Sequence, residues 1–160
     1  MNFRNLVNLT GPRTVVLART STPGPSGGSY GVAYAAVPEG GGSRAPALVT
    51  GLVSSTAARS NLAVVHTRGG SEAPLTLQVV LYDATTGQAV GDTLTATLNP
   101  GDWYQWSNVL QKANVPAGTT AAYAVVTRTS GDDTFLAYGV LNDAITSDGS
   151  WLAMRPDAWY

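Results

Sequence analysis

From Leu75 to Leu98 the chain alternates apolar and polar residues with a period of two, and this constrains its fold more than any other feature. Leu75, Leu77, Val79 and Leu81 share one parity; further on, Leu94, Ala96 and Leu98 stand against Thr93, Thr95 and Thr97. Successive side chains of a strand point to opposite faces, whereas a helix would scatter these leucines around its axis. Thr85, Thr86 and Gly87 predict a hairpin turn between the two runs. Runs at 13–20, 29–37, 46–53, 61–68, 103–106, 120–129, 134–142 and 150–155 are also short, rich in β-branched and aromatic residues, and bounded by Gly, Pro, Asn or Asp. Only 107–113 reads as a helix, of one or two turns, with Ser107 as its N-cap and Pro116 beyond its end.

The pattern predicts an all-β chain of about nine or ten strands with at most one short helix. With no strand–helix alternation, an antiparallel β-sandwich of immunoglobulin-like or jelly-roll-like kind is the expected architecture, and a closed barrel is the alternative. The length of 160 residues suits one domain with a real core. Residues 21–28, Ser-Thr-Pro-Gly-Pro-Ser-Gly-Gly, read as a flexible linker. That reading divides the chain into a strand arm at 1–20, the linker, and a sandwich domain at 29–160. The arm is expected either to pair within its own chain or to reach the sheet edge of a neighbouring copy, which would build filaments or oligomers by strand exchange. The runs at 121–126 and 135–141 are apolar on both parities. They predict central strands whose second face is covered, or faces that contact another subunit.

Charged residues make up 12 % of the chain, against about 25 % in ordinary soluble proteins. The net charge is −1, Lys112 is the only lysine, and the arginines are scattered, so nothing here favours nucleic acid or anionic lipid. The absence of cysteine excludes disulfides, thiolate catalysis and cysteine metal sites. No run approaches the roughly 18 apolar residues of a membrane helix. Residues 1–9 lack the apolar core of a signal peptide, so if the protein is exported, the chain is expected to be a mature piece of it.

Residues able to do chemistry are few. His66 is the only histidine, and its parity with Leu62 and Val64 predicts a strand-end residue making a structural hydrogen bond rather than a general base. Gly27-Gly-Ser-Tyr-Gly31 matches the nucleophile-elbow pattern in letters, but that elbow needs a strand before its serine and a helix after it. Asn142, Asp143 and Asp148, with the Thr146 hydroxyl, offer oxygens for calcium, short of the six to eight it takes; a turn built on Asx side chains explains the same residues. No other cofactor is implied. Arg59 and Asn61 predict a structural anchor, with a buried guanidinium paired to Asp143 or Asp102, and an exposed ligand contact is the alternative. Trp103, Tyr104 and Trp151 are the aromatics expected to stack on a sugar ring if any do, with core packing as the competing role.

Taken in order, Arg59-Ser-Asn-Leu-Ala-Val-Val65, Leu77-Gln-Val-Val-Leu-Tyr-Asp83, Leu98-Asn-Pro-Gly-Asp-Trp-Tyr-Gln105, Tyr123-Ala-Val-Val126, the run from Phe135 to Asp143 and Asp148-Gly-Ser-Trp151 resemble a β-rich accessory module of long exported bacterial proteins. The likeness spans about 30–151, and it departs at His66, where that pattern usually carries Asn. It implies a secreted or cell-surface, non-catalytic structural or adhesive module. Its expected partners are other domains of the parent protein or neighbouring copies. Carbohydrate binding and self-assembly are the alternative readings.

Overall fold

A computed structural model describes residues 16–24, 27–146 and 148–156. β1 (Leu17–Pro23) and β2 (Ser29–Ala35) form a hairpin. β3 (Ala47–Val53), β4 (Ala58–His66), β5 (Leu75–Asp83), β6 (Ala89–Leu98) and β7 (Trp103–Trp106) follow. One helical turn, α1 (Val109–Lys112), precedes β8 (Ala121–Ser130), β9 (Phe135–Asp143), β10 (Gly149–Ala153) and the two-residue β11 (Arg155–Pro156). The fold is an all-β antiparallel sandwich. One sheet has the order β10-β9-β4-β7, and the other β11-β3-β8-β5-β6.

The leucines of one parity make the core, as period two requires. Leu75, Leu77, Val79 and Leu81 of β5 are fully buried with Ala122, Ala124 and Val126 of β8. Across the sandwich they share one cluster with Leu62 and Val64 of β4 and Phe135 and Ala137 of β9. α1 adds Val109 and Leu110 to that cluster. The helix is one turn, within the one or two its sequence implies, but it starts one residue later. Asn108, in a left-handed conformation (φ 49°, ψ 67°), takes the starting position expected of Ser107. No side-chain cap forms, and the first two helical residues, Val109 and Leu110, are buried.

The last predicted strand divides at Met154. β10 completes the four-stranded sheet, and β11 crosses to pair with β3 in the other. The Ala137 N–H, beyond the end of the β9–β10 ladder, donates to the Met154 sulfur at 3.2 Å.

The segment read as a linker behaves differently from that expectation. Ser21, Thr22 and Pro23 belong to β1, whose pairing with β2 runs from Leu17↔Ala35 to Pro23↔Ser29 within the same chain. Gly27 and Gly28, at φ 83° and 78°, supply the backbone conformations that let so Pro/Gly-rich a stretch reverse direction. The rest of the proposed arm, 1–15, lies outside the described residues.

The hairpin lies against the outer face of the four-stranded sheet. Val32 is buried over Gly149, Tyr34 meets Tyr138 edge-on at 6.1 Å, and the Gly31 N–H donates to Asp148 Oδ1 at 3.0 Å. This contact covers Val140, on the second face of β9. The second face of β8 has no such cover among the described residues. Its Tyr123 and Val125, with Leu48, Val80 and Tyr82, are half-buried, and Tyr82 stacks on Tyr123 at 5.1 Å.

Candidate functional site

At one end of the sandwich four connections meet around His66, which is fully buried. Its Nε2 faces the Ala73 carbonyl at 3.2 Å, and its Nδ1 accepts the Arg68 N–H at 3.2 Å. This pattern puts the ring proton on Nε2. Its backbone N–H and C=O pair with Asp102 and Gly101. Asp133, 1 % exposed, stands 4.0 Å from Nδ1. Its Oδ2 accepts the Ser71 N–H at 3.0 Å and its Oδ1 the Thr134 N–H at 2.7 Å. Burial alone would raise this carboxyl's pKa. The backbone N–H groups of Thr134, Ser71 and Gly69 outweigh that and hold it below the ordinary value. Thr67 Oγ1 donates to the Gly41 carbonyl at 2.6 Å and lies 2.8 Å from Thr134 Oγ1. The expectation of a structural histidine at a strand end agrees with this geometry. Asp133 went unnoticed in the sequence, because Asp132 beside it is an identical letter in the same turn.

The calcium candidates are engaged with the protein itself. Asp143 Oδ1 accepts the N–H groups of Ile145 and Thr146, at 2.9 and 2.7 Å, and the Thr146 hydroxyl at 3.0 Å. Hydrogen bonds from Thr146, backbone then hydroxyl, lower its pKa most. Asp148 receives Gly31, and Asn142 Nδ2 donates to the Val140 carbonyl at 3.2 Å. Asp83 makes the same turn between β5 and β6, accepting from Thr85 at 2.7 Å and Thr86 at 2.8 Å. Among the described residues no group of three or more His, Cys, Asp or Glu side chains is placed to hold a metal.

The Arg59–Asn61 pair divides. Arg59 is exposed and makes no side-chain hydrogen bond or ion pair among the described residues, so the buried guanidinium anchor does not form. Alternation explains this: Ser60 between them points into the core and is fully buried, donating nothing to Arg59 but accepting the Val53 N–H at 2.9 Å. Asn61 does anchor. Its Oδ1 accepts the Asn108 N–H at 3.0 Å, fixing the residue that starts α1. Asn61→Ala is expected to lower the unfolding free energy by about 1 kcal/mol. A denaturation midpoint shifted down at constant slope would show it; an unmoved midpoint would refute it.

Trp103, Tyr104 and Trp151 do not form one platform. Trp103 pairs across from Val65 and Tyr104 from Val64, so they face opposite sides of β7. Trp103, 48 % exposed, donates from Nε1 to the Tyr138 hydroxyl at 2.9 Å. Burial raises the Tyr138 pKa, and that hydrogen bond opposes it. Trp151 is half-buried and meets Tyr138 at 6.3 Å, with its own Nε1 buried and unpartnered. Tyr104 packs edge-on against Trp106 at 5.0 Å. Ser29 of the elbow-like pattern is exposed and opens β2, with a strand and not a helix after it.

A cleft of about 370 Å³ lies between the hairpin and the outer face of the four-stranded sheet. Tyr30 and Tyr34 line it from β2, and Asn61, Gln105 and Asn142 line it from three adjacent strands. No local pattern of residues marks it, because its two walls meet only once the hairpin folds over. Comparisons with family models, with curated proteins and with solved structures find no match for this chain.

Proposed function

We propose that this chain is a non-catalytic structural or adhesive module of an exported or cell-surface bacterial protein, which spaces, displays or docks other parts of that protein. One observation carries the reading: its buried acid–base groups hold loops together. Both ring nitrogens of His66 and both carboxylate oxygens of Asp133 are engaged with backbone that joins one strand to the next. A general base needs a lone pair within reach of a substrate proton, and this pair is buried and bonded to backbone. The low charge and a motif order that resembles accessory modules of exported proteins support the same reading.

The test is deletion of the module from the polypeptide that carries it. The expected result is unchanged chemistry in the remainder, with altered surface retention or assembly. Lost turnover with unaltered retention would overturn the proposal, as would hydrolysis of ester, peptide or glycoside substrates by the isolated module that His66→Ala abolishes.

A further inference from the structure

We infer that the cleft beneath the β1–β2 hairpin binds an uncharged glycan. The inference goes beyond a spacing or docking role and rests on the chemistry of the lining. Its floor is a sheet face carrying three carboxamides, Asn61 on β4, Gln105 on β7 and Asn142 on β9. Each has polar capacity left over. Asn61 gives its Oδ1 to Asn108, Gln105 reaches Ser107 through Nε2 at 3.5 Å, and Asn142 reaches Val140 through Nδ2. Asn61 Nδ2, Gln105 Oε1 and Asn142 Oδ1 therefore have no hydrogen bond among the described residues. The walls add Tyr30 and Tyr34, and β1 adds the hydroxyls of Thr20, Ser21 and Thr22.

None of the described lining residues is charged. An anionic or cationic ligand would find no counter-charge within the lining itself, where its lost hydration is not replaced; Arg59, across from Asn142 on the same face, stands only at its edge. A neutral polyol suffers no such penalty. Each sugar hydroxyl both donates and accepts, and a row of amide donors and acceptors beside hydroxyls answers it group by group. Tyrosines supply apolar area with a polar tip against the C–H face of a ring. The volume lies in the range of small-ligand sites, about 300 to 1,000 Å³. An extended peptide is the less suitable occupant. Peptides gain affinity by adding a strand to a sheet edge, and this floor is a sheet face whose backbone groups already pair on both sides of β4 and β9. The cleft is also separate from exposed Trp103 and Tyr104, neither of which lines it.

The experiment is native affinity electrophoresis of the whole chain in gels containing laminarin, hydroxyethyl cellulose or galactomannan, with alginate as the anionic comparison. Retardation by at least one neutral polymer and not by alginate is expected. Gln105→Ala and Tyr30→Ala should each weaken it about tenfold, the equivalent of one lost hydrogen bond or ring contact at its upper range. Both variants should keep the wild-type melting temperature within a few degrees, so lost retardation is lost binding and not unfolding. The inference is overturned if no neutral polymer retards the chain. It also fails if alginate alone does so, or if the chain retains unfolded casein peptides and no glycan. Retardation that Trp103→Ala abolishes but Gln105→Ala and Tyr30→Ala leave intact would place binding on the aromatic edge and likewise overturn it.

Discussion

Asp133→Ala is expected to lower the free energy of unfolding by about 4 kcal/mol, close to what a small domain can lose before it fails to fold. The carboxylate receives backbone N–H groups from Ser71, Thr134 and Gly69 at a site where almost no side-chain surface meets water. Alanine removes every acceptor at once, and each orphaned buried donor costs about 1 to 3 kcal/mol. In the wild type a Cβ at Gly69 would strike Asp133 Oδ1 and Thr134 Oγ1, so glycine is what lets this carboxylate sit so close to the backbone. Asp133→Asn keeps one acceptor oxygen and should lose about half as much. Asp132→Ala, one residue earlier and exposed, should change stability by no more than about 0.5 kcal/mol. A pH arm separates the carboxylate from mere packing. Its folded pKa is depressed, so its contribution is complete above the unfolded value of about 4 and is lost as pH falls from there through the folded value. Wild-type stability should therefore decline on acidification more steeply than that of Asp133→Ala. Asp83 and Asp143, also depressed by turn hydrogen bonds, leave the variant a residual slope. Guanidinium titrations at neutral and acid pH measure both. A loss below about 1 kcal/mol at neutral pH, or parallel pH profiles, would show that water replaces the carboxylate without difficulty.

The contrast between Asp133 and Asp132 also marks how far the sequence reaches. Period two was readable wherever one face is buried and the other wet, so β5 and β7 appear with the bounds expected of them. It carried the two-sheet architecture, because leucines of one parity on several strands demand a second apolar layer. It did not carry what depends on pairs far apart in the chain. Arg59 and Asn61 look alike as polar residues entering a strand, yet only Asn61 finds a partner, 47 residues away. The runs at 121–126 and 135–141 looked equivalent; a hairpin remote in sequence covers one outer face and leaves the other half-exposed. Proline and glycine at 21–28 signalled a break in regular structure, which is common to a linker and to a hairpin turn; only the pairing of Leu17 with Ala35 tells them apart.

That hairpin gives the second large effect. Gly149→Ala should release it from the sheet while leaving the sandwich folded. The backbone of Gly149 accepts alanine without strain, since its φ is not in the left-handed region. The obstacle is Val32, whose Cγ2 occupies the space a Cβ would take. β1 is exposed along its length, and no ladder joins the hairpin to either sheet. Its hold consists mainly of buried Val32, the edge contact of Tyr34 with Tyr138, and the Gly31 N–H on Asp148. Overpacking at such a contact costs about 2 kcal/mol, which lowers the ratio of docked to free hairpin roughly 30-fold. Amide exchange across Leu17–Ala35 and cleavage there by a non-specific protease should accelerate by a similar factor, with exchange in β5 and β8 unchanged. Val32→Ala alone loosens the hairpin by removing buried methyls. Combined with Gly149→Ala it should loosen it by much less than the sum, because the methyl that the new Cβ strikes is gone. Additive losses in that cycle, or unaltered exchange in Gly149→Ala, would mean the hairpin is not seated through Val32. Because β2 contributes Tyr30 and Tyr34 to the cleft, the same substitution should remove glycan retardation without replacing any residue that lines it.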